Sequence, residues 1–373
     1  MNIDFHYYGT YLAASYAGYN AKEAEIIAHA AQLVDDCTIH NLIQTDKFEQ
    51  IVTSRDTVDI ALEAADALTP YTESDVQKAK EIWSYFHFLP GNEDGRMQYN
   101  GRRKNNILEP RWRFDDKLFC YMCLPESKLA EQMINQTVQI AQSKQSGILE
   151  FVGLRMHVLA DTWAHAYFAG LPEWCMNDVR QTQNIYEYDA GNWIKTEVGV
   201  QADSPAQHRY QVARVSSQRF ISPVYLGHAQ VGQMPDLGYL HFKYVPVWKE
   251  NLADKNQRWV EKNNQDSYLK AFAQMVSAMK AIRNNSVYPQ NVNMEVVDQQ
   301  LQAEIAKVLA TRKLDQSEEW KTLIQKQNGS IPNAYVKNSW QKECSQSDKQ
   351  EDTHYAYFCE AASIQKQFLL ARF

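Results

Sequence analysis

Three side chains able to bind a metal recur at every fourth residue of the segment Met156-His157-Val158-Leu159-Ala160-Asp161-Thr162-Trp163-Ala164-His165. At 3.6 residues per turn a step of four drifts by only about 40°, so His157, Asp161 and His165 share one face of an otherwise apolar helix. The two histidines are about 12 Å apart along the axis, too far to share one ion. His157 with Asp161, and Asp161 with His165, can each do so, which makes Asp161 the central ligand and lets it bridge two metals. Burying two imidazoles and a carboxylate without a cation or hydrogen-bond partners carries a heavy desolvation cost. The alternative is a polar core network.

Partners must come from elsewhere in the chain. Asp4 and His6 alternate with Ile3 and Phe5, so in an extended segment they point the same way and converge on one ion. Asp35 and Asp36 end a helix, where the macrodipole disfavours acid and calls for a compensating cation. One of the two is a reasonable ligand. His87 lies in Tyr85-Phe86-His87-Phe88-Leu89-Pro90-Gly91, and His228 and Asp236 lie in a Gly- and Pro-punctuated stretch. His40 is assigned to the surface. The expected ligand set is Asp4, His6, Asp35, His87, His157, Asp161, His165 and His228, suited to zinc, with manganese or iron as alternatives and no thiolate. Such a metal lowers the pKa of bound water and presents hydroxide to a phosphoryl or carbonyl centre. Asp161 is then catalytic, with Asp236 or Asp36 as the free carboxylate that serves as general base. No Gly-x-Ser-x-Gly elbow, phosphate-binding loop or dinucleotide fingerprint competes.

The elements that hold these residues read as helices. Asn20 followed by Glu23 is a capping-box start, and Ala24, Ile27, Ala28, Ala31 and Val34 continue at helical spacing to Asp36. A shorter helix spans about 11–17 and stops at Gly18, and others fall at about 56–68, 73–84 and 126–143. The helix with the metal-type face runs from about 147 to 169, with Gly170 and Pro172 as its stop. Residues 184–225 change to a shorter period, and the stretch from Tyr225 to Gly238 reads as a loop laid over something. Helical patterns resume at 266–284 and 292–312. A solvated tail follows over 315–350, before an amphipathic final helix near Phe373. The expected class is mainly α, a multi-helix bundle with a short irregular or β-hairpin insertion around 184–225. Residues 1–260 form the metal-site domain, and 261–373 a helical extension packed on it.

Composition bounds the function. With 373 residues, 45% hydrophobic and 12% aromatic, the chain buries a large core, and no apolar run approaches the length of a membrane span. A net charge of -7 argues against a stable nucleic-acid partner. Six cysteines without a paired framework, Cys120-x-x-Cys123 included, read as buried thiols of a reducing compartment. The N-terminal segment has neither the basic start nor the apolar core of a secretory signal, so a cytoplasmic protein is expected, or one exported without a cleaved signal peptide.

The segments Asp4-Phe-His-Tyr-Tyr-Gly-Thr10, Ala30 to Asp36, Phe86 to Gly91, Gly153 to His165, Leu226-Gly-His228 and Pro235-Asp236 resemble an uncharacterised bacterial family of unknown function over about the first 250 residues. A more distant likeness is to the all-helical zinc phospholipase C and single-strand nuclease superfamily, where the Asp of a His-x-x-x-Asp helix bridges two of three zinc ions. His157 and Asp161 are similar to that element. The resemblance implies hydrolysis of a small-molecule or lipid phosphoester, with His6 and Asp35 or Asp36 at positions where those enzymes draw ligands from earlier helices. Those enzymes place the next His six residues past the Asp, whereas His165 is four past it. They are also secreted and use a processed N-terminal Trp as a ligand, whereas this chain starts at Met1. The expectation is a metal-dependent phosphoester hydrolase. The alternative is a non-enzymatic scaffold or host-interaction protein with a structural metal site or polar core.

Overall fold

The computed structural model describes residues 1–55, 73–98, 116–143, 146–179, 185–196 and 226–373. Among the described residues, eleven α-helices and one four-stranded antiparallel sheet make it 57% helical and mainly α. The helices are α1 (Thr10–Tyr16), α2 (Ala21–Asp36), α3 (Glu73–Ile82), α4 (Lys128–Ala141), α5 (Ile148–Ala164), α6 (Trp174–Asn177), α7 (Asn264–Asn284), α8 (Gln299–Leu309), α9 (Ser317–Asn328), α10 (Ser339–Gln346) and α11 (His354–Leu370). Strands β1 (Tyr186–Asp189), β2 (Asn192–Lys195), β3 (His241–Tyr244) and β4 (Val260–Asn263) lie in the order β2-β1-β3-β4.

Local chemistry explains the boundaries. The Asn20 side chain accepts from the backbone of Lys22 and Glu23 while Glu23 returns a bond to Asn20 N at 2.9 Å, the capping box read from sequence. β1 and β2 form a hairpin whose turn, Ala190-Gly191, has φ of 47° and 87°, as a two-residue primed turn requires. The expected helix at about 56–68 and residues 197–225 of the expected insertion lie outside the described residues.

Three expectations need correction. Asp4–Gly9 is not extended but a π-helical turn leading into α1, so Asp4 and His6 diverge. α5 ends at Ala164, before Gly170, because Tyr167 takes up a left-handed conformation at φ 77° and turns the chain. The tail at 315–350 contains α9 and α10, anchored by Trp320, Leu323, Ile324 and Trp340 in the core. Isolated large apolar residues among many polar ones give a weak periodic signal, which is why the segment read as solvated.

α5 is the axis of the molecule. Every side chain from Glu150 to Ala164 is buried, and α2, α4, α7 and α11 all pack against it. The main core draws on residues up to Ala164 and again from Tyr268 to Leu369. A second core continues past the end of α5 through Phe168 and Ala169 to Leu240, Phe242, Tyr244 and Trp248 under the sheet. α2 approaches α5 so closely at Gly153 that a Cβ there would lie 2.2 Å from the Ile27 carbonyl oxygen and 2.6 Å from Ala30 Cβ. That contact sets the distance from Asp35 to the α5 face. Gly153→Ala should therefore lower the unfolding free energy by about 1–3 kcal/mol, the usual cost of overpacking, in urea denaturation followed by circular dichroism. An unchanged transition would mean that α2 is free to shift.

Candidate metal centre

Four histidines are held in the same way, each by one backbone carbonyl. The carbonyls are Ala31 O for His157 Nδ1 at 2.9 Å, Thr53 O for His87 Nε2 at 2.9 Å, His87 O for His165 Nδ1 at 2.7 Å and Gly232 O for His228 Nδ1 at 2.7 Å. A carbonyl only accepts, so those nitrogens carry protons and the opposite ring nitrogens face inward, each presenting a lone pair when its ring is neutral. His157 Nε2 lies 3.2 Å from His87 Nδ1 and 3.1 Å from Asp161 Oδ2, and His87 Nδ1 is 3.4 Å from the same oxygen. Two facing lone pairs beside a carboxylate require a proton or a metal cation between them.

His6 lies against this group with its ring stacked on His157 at 3.9 Å. Its Nε2 is 3.2 Å from Asp161 Oδ1 and 3.9 Å from Asp35 Oδ2, yet neither ring nitrogen makes a hydrogen bond, and Asp161 Oδ2 makes none either. On the other side of Asp161, His165 Nε2 is 3.2 Å from Asp236 Oδ1 and His228 Nε2 is 3.4 Å from Asp236 Oδ2. In each of three groups the ligand atoms lie within 4.8 Å of one another: His6, Asp35 and His157; His87, His157 and Asp161; His165, His228 and Asp236. These buried His and Asp clusters could hold a metal ion, and the orphaned nitrogens and carboxylate oxygen fit one. The side chains of Asp35, His228 and Asp236 are 30%, 19% and 14% exposed, so the centre is not fully closed off from solvent.

Sequence reasoning missed one member. The Met1 α-ammonium is fully buried, 3.0 Å from Asp161 Oδ1 and 3.2 Å from Asp236 Oδ1. Burial works against its charge, but Asp161, Asp236 and Asp35 outweigh that and raise it to about 11. Burial likewise pushes the acids toward neutrality; in Asp161 the nearby His165, the ammonium and His157 prevail and hold it well below the usual carboxylate range. His228, the ammonium and His165 do the same for Asp236. In Asp35 burial wins and its pKa rises. Burial and the neighbouring His157 and ammonium keep His6 neutral.

Of the ligands expected from sequence, the structure brings together His6, Asp35, His87, His157, Asp161, His165 and His228. It places Asp236 among them as a partner of two histidines rather than a free base. It does not bring in Asp4, whose two oxygens accept from Phe5 N at 2.8 Å and Gln316 N at 2.9 Å, nor Asp36, which pairs with Lys337 at 2.9 Å. His40, in a short 3-10 turn, is exposed as expected. His6 and His87 both sit in π-helical turns, Asp4–Gly9 and Trp83–His87, whose irregular pitch recurs at functional sites. Periodicity at 3.6 residues does not reveal such turns.

The whole chain, residues 1–373, matches the family described as "Family of unknown function (DUF6765)", and the protein belongs to that family. No curated protein and no solved structure matches the chain. Among the described residues no disulfide links any of the six cysteines, and no helix is long and apolar enough to cross a membrane.

Asp161 is the residue whose loss is felt most widely. Asp161→Asn removes the buried negative charge paired with the Met1 ammonium and should cost about 3–5 kcal/mol of stability, as breaking a buried charge pair does. Calorimetry of the metal-free protein measures it, and an unchanged midpoint would show that the carboxylate compensates nothing.

Proposed function

We propose that this protein is a metal-dependent hydrolase acting on a phosphoester of a small molecule or a lipid. The observation that carries the reading is the arrangement of His6, Asp35, His87, His157 and Asp161 on one side and His165, His228 and Asp236 on the other, with Asp35, His228 and Asp236 partly exposed to solvent. A closed shell of protein ligands suits structure, whereas a shell with an open edge leaves room for substrate. A divalent ion held here, zinc being best matched to the donors and manganese or iron next, would acidify a bound water and draw charge from a phosphoryl oxygen. The chain's own part is to orient. Carbonyls at residues 31, 53, 87 and 232 fix four imidazoles in one tautomer, and Asp161 reaches both halves of the centre. Asp35, the most exposed of the three carboxylates, would take a proton from an attacking water.

A second reading is favoured by one specific contact. The Met1 ammonium pairs with Asp161 and Asp236, and a permanent internal cation there suits a polar core in a non-enzymatic scaffold.

The two readings separate in an assay of metal-replete protein against bis(p-nitrophenyl) phosphate, p-nitrophenyl phosphate and phosphatidylcholine vesicles. The hydrolase reading expects turnover of at least one, reduced by more than about 100-fold in His157→Ala, beyond what loss of a supporting residue alone causes. Protein that carries metal yet turns over none of the three, or activity that survives Asp161→Asn, would contradict it.

A further inference from the structure

Two buried polar residues at the junction of β4 and α7 touch none of the candidate ligands, yet each grips the backbone on both sides of one. Lys262, 3% exposed, donates from Nζ to Trp163 O at 3.1 Å and Ala166 O at 3.5 Å, the carbonyls that flank His165. Asn264, fully buried, donates from Nδ2 to Met234 O at 2.7 Å, Pro235 O at 3.4 Å and Leu237 O at 2.8 Å, the carbonyls that flank Asp236. Tyr268, one turn further along α7, adds a bond from its hydroxyl to Pro235 O at 3.1 Å.

His165 and Asp236 come from different elements, the end of α5 and a 3-10 turn, and meet at 3.2 Å. Neither element fixes that distance by itself. α5 has just ended, and the chain turns at Tyr167, a non-glycine residue at φ 77° whose N–H is held by Cys123 O at 2.9 Å. Such a conformation persists only where its surroundings hold it. A buried ammonium is costly, and an apolar side chain would fill the same space without that cost. Its presence at the C-terminal carbonyls of α5, where the dipole is negative, is accounted for by the grip it provides.

Resting on the metal-centre reading above, we infer that Lys262 and Asn264 are positioning residues that set the spacing of His165 and Asp236 and thereby the geometry of the outer half of the centre. They play the part of the outer-shell partners that hold metal ligands in other proteins, reaching the ligands through their backbones. The β-sheet then has a role in the centre: β4 delivers Lys262 and the start of α7 delivers Asn264, two residues apart.

The test is cobalt(II) binding to the full chain, with affinity read by competition with a chromophoric chelator and geometry by the visible absorption bands. Lys262→Met and Asn264→Leu should each weaken Co²⁺ binding by about 10–100-fold and shift those bands, and Lys262→Arg should restore both in large part. In a His165→Ala background, Lys262→Met should add less than about twofold, since the residue it positions is gone. Wild-type affinity and bands in both variants, or an equal loss with and without His165, would overturn the inference. Thermal midpoints report folding, and if Lys262→Met does not fold, Asn264→Leu and Lys262→Arg decide. Failure of the wild type to take up Co²⁺ would overturn the metal reading itself, a different result from wild-type binding that the variants leave untouched.

Discussion

Three carboxylates, Asp35, Asp161 and Asp236, meet inside this protein in a setting whose other polar groups are mainly imidazoles, four of them oriented by backbone carbonyls. Concentrating negative charge away from water is unfavourable by several kcal/mol per ion unless positive charge accompanies it. The surrounding architecture serves that requirement. Gly153 lets α2 close on α5 so that Asp35 reaches the face carrying His157 and Asp161. Two π-helical turns point His6 and His87 into the same space, and the turn after α5 leaves His165 facing Asp236. The Met1 ammonium supplies one positive charge, while the nitrogens of His6 and one oxygen of Asp161 still lack hydrogen bonds. A divalent cation could engage one of those nitrogens and a carboxylate oxygen, though not both nitrogens of one ring.

Much of this was legible from residue spacing. The step of four in α5 is a property of helical pitch alone, and it identified Asp161 as the shared residue before any coordinates. The capping box at Asn20 and Glu23 fixed the start of α2 and so the place of Asp35 near its end. What spacing could not reveal was local irregularity. Asp4 read as a partner of His6 because an extended chain alternates faces, but a π-helical turn sends its carboxylate to the backbone of Gln316, some 300 residues away in sequence. Asp35 and Asp36 looked equivalent at a helix end, and only tertiary contact with Lys337 separates them. The Met1 amine has no side-chain signature at all. Lys262 and Asn264 act through carbonyls, which every residue carries, so no residue-type pattern marks their targets.

The layout also bears on whether the centre is structural or chemical. A site built only to stiffen a bundle has no need of partly exposed ligands, yet Asp35, His228 and Asp236 are partly exposed, while Phe88 stacks on His165 at 4.5 Å. His228 and Asp236 belong to a run of 3-10 turns rather than to a helix, the kind of segment that places reactive groups on a rigid frame.

The account stands or falls on whether a metal occupies the centre. The most direct measurement is elemental analysis by inductively coupled plasma mass spectrometry on protein purified with zinc, manganese and iron supplied, alongside His157→Ala. The account predicts at least one transition-metal ion per wild-type chain and a marked loss in the variant, because ligand removal from a buried site lowers affinity steeply. A wild-type protein that is folded and metal-free under those conditions would contradict it.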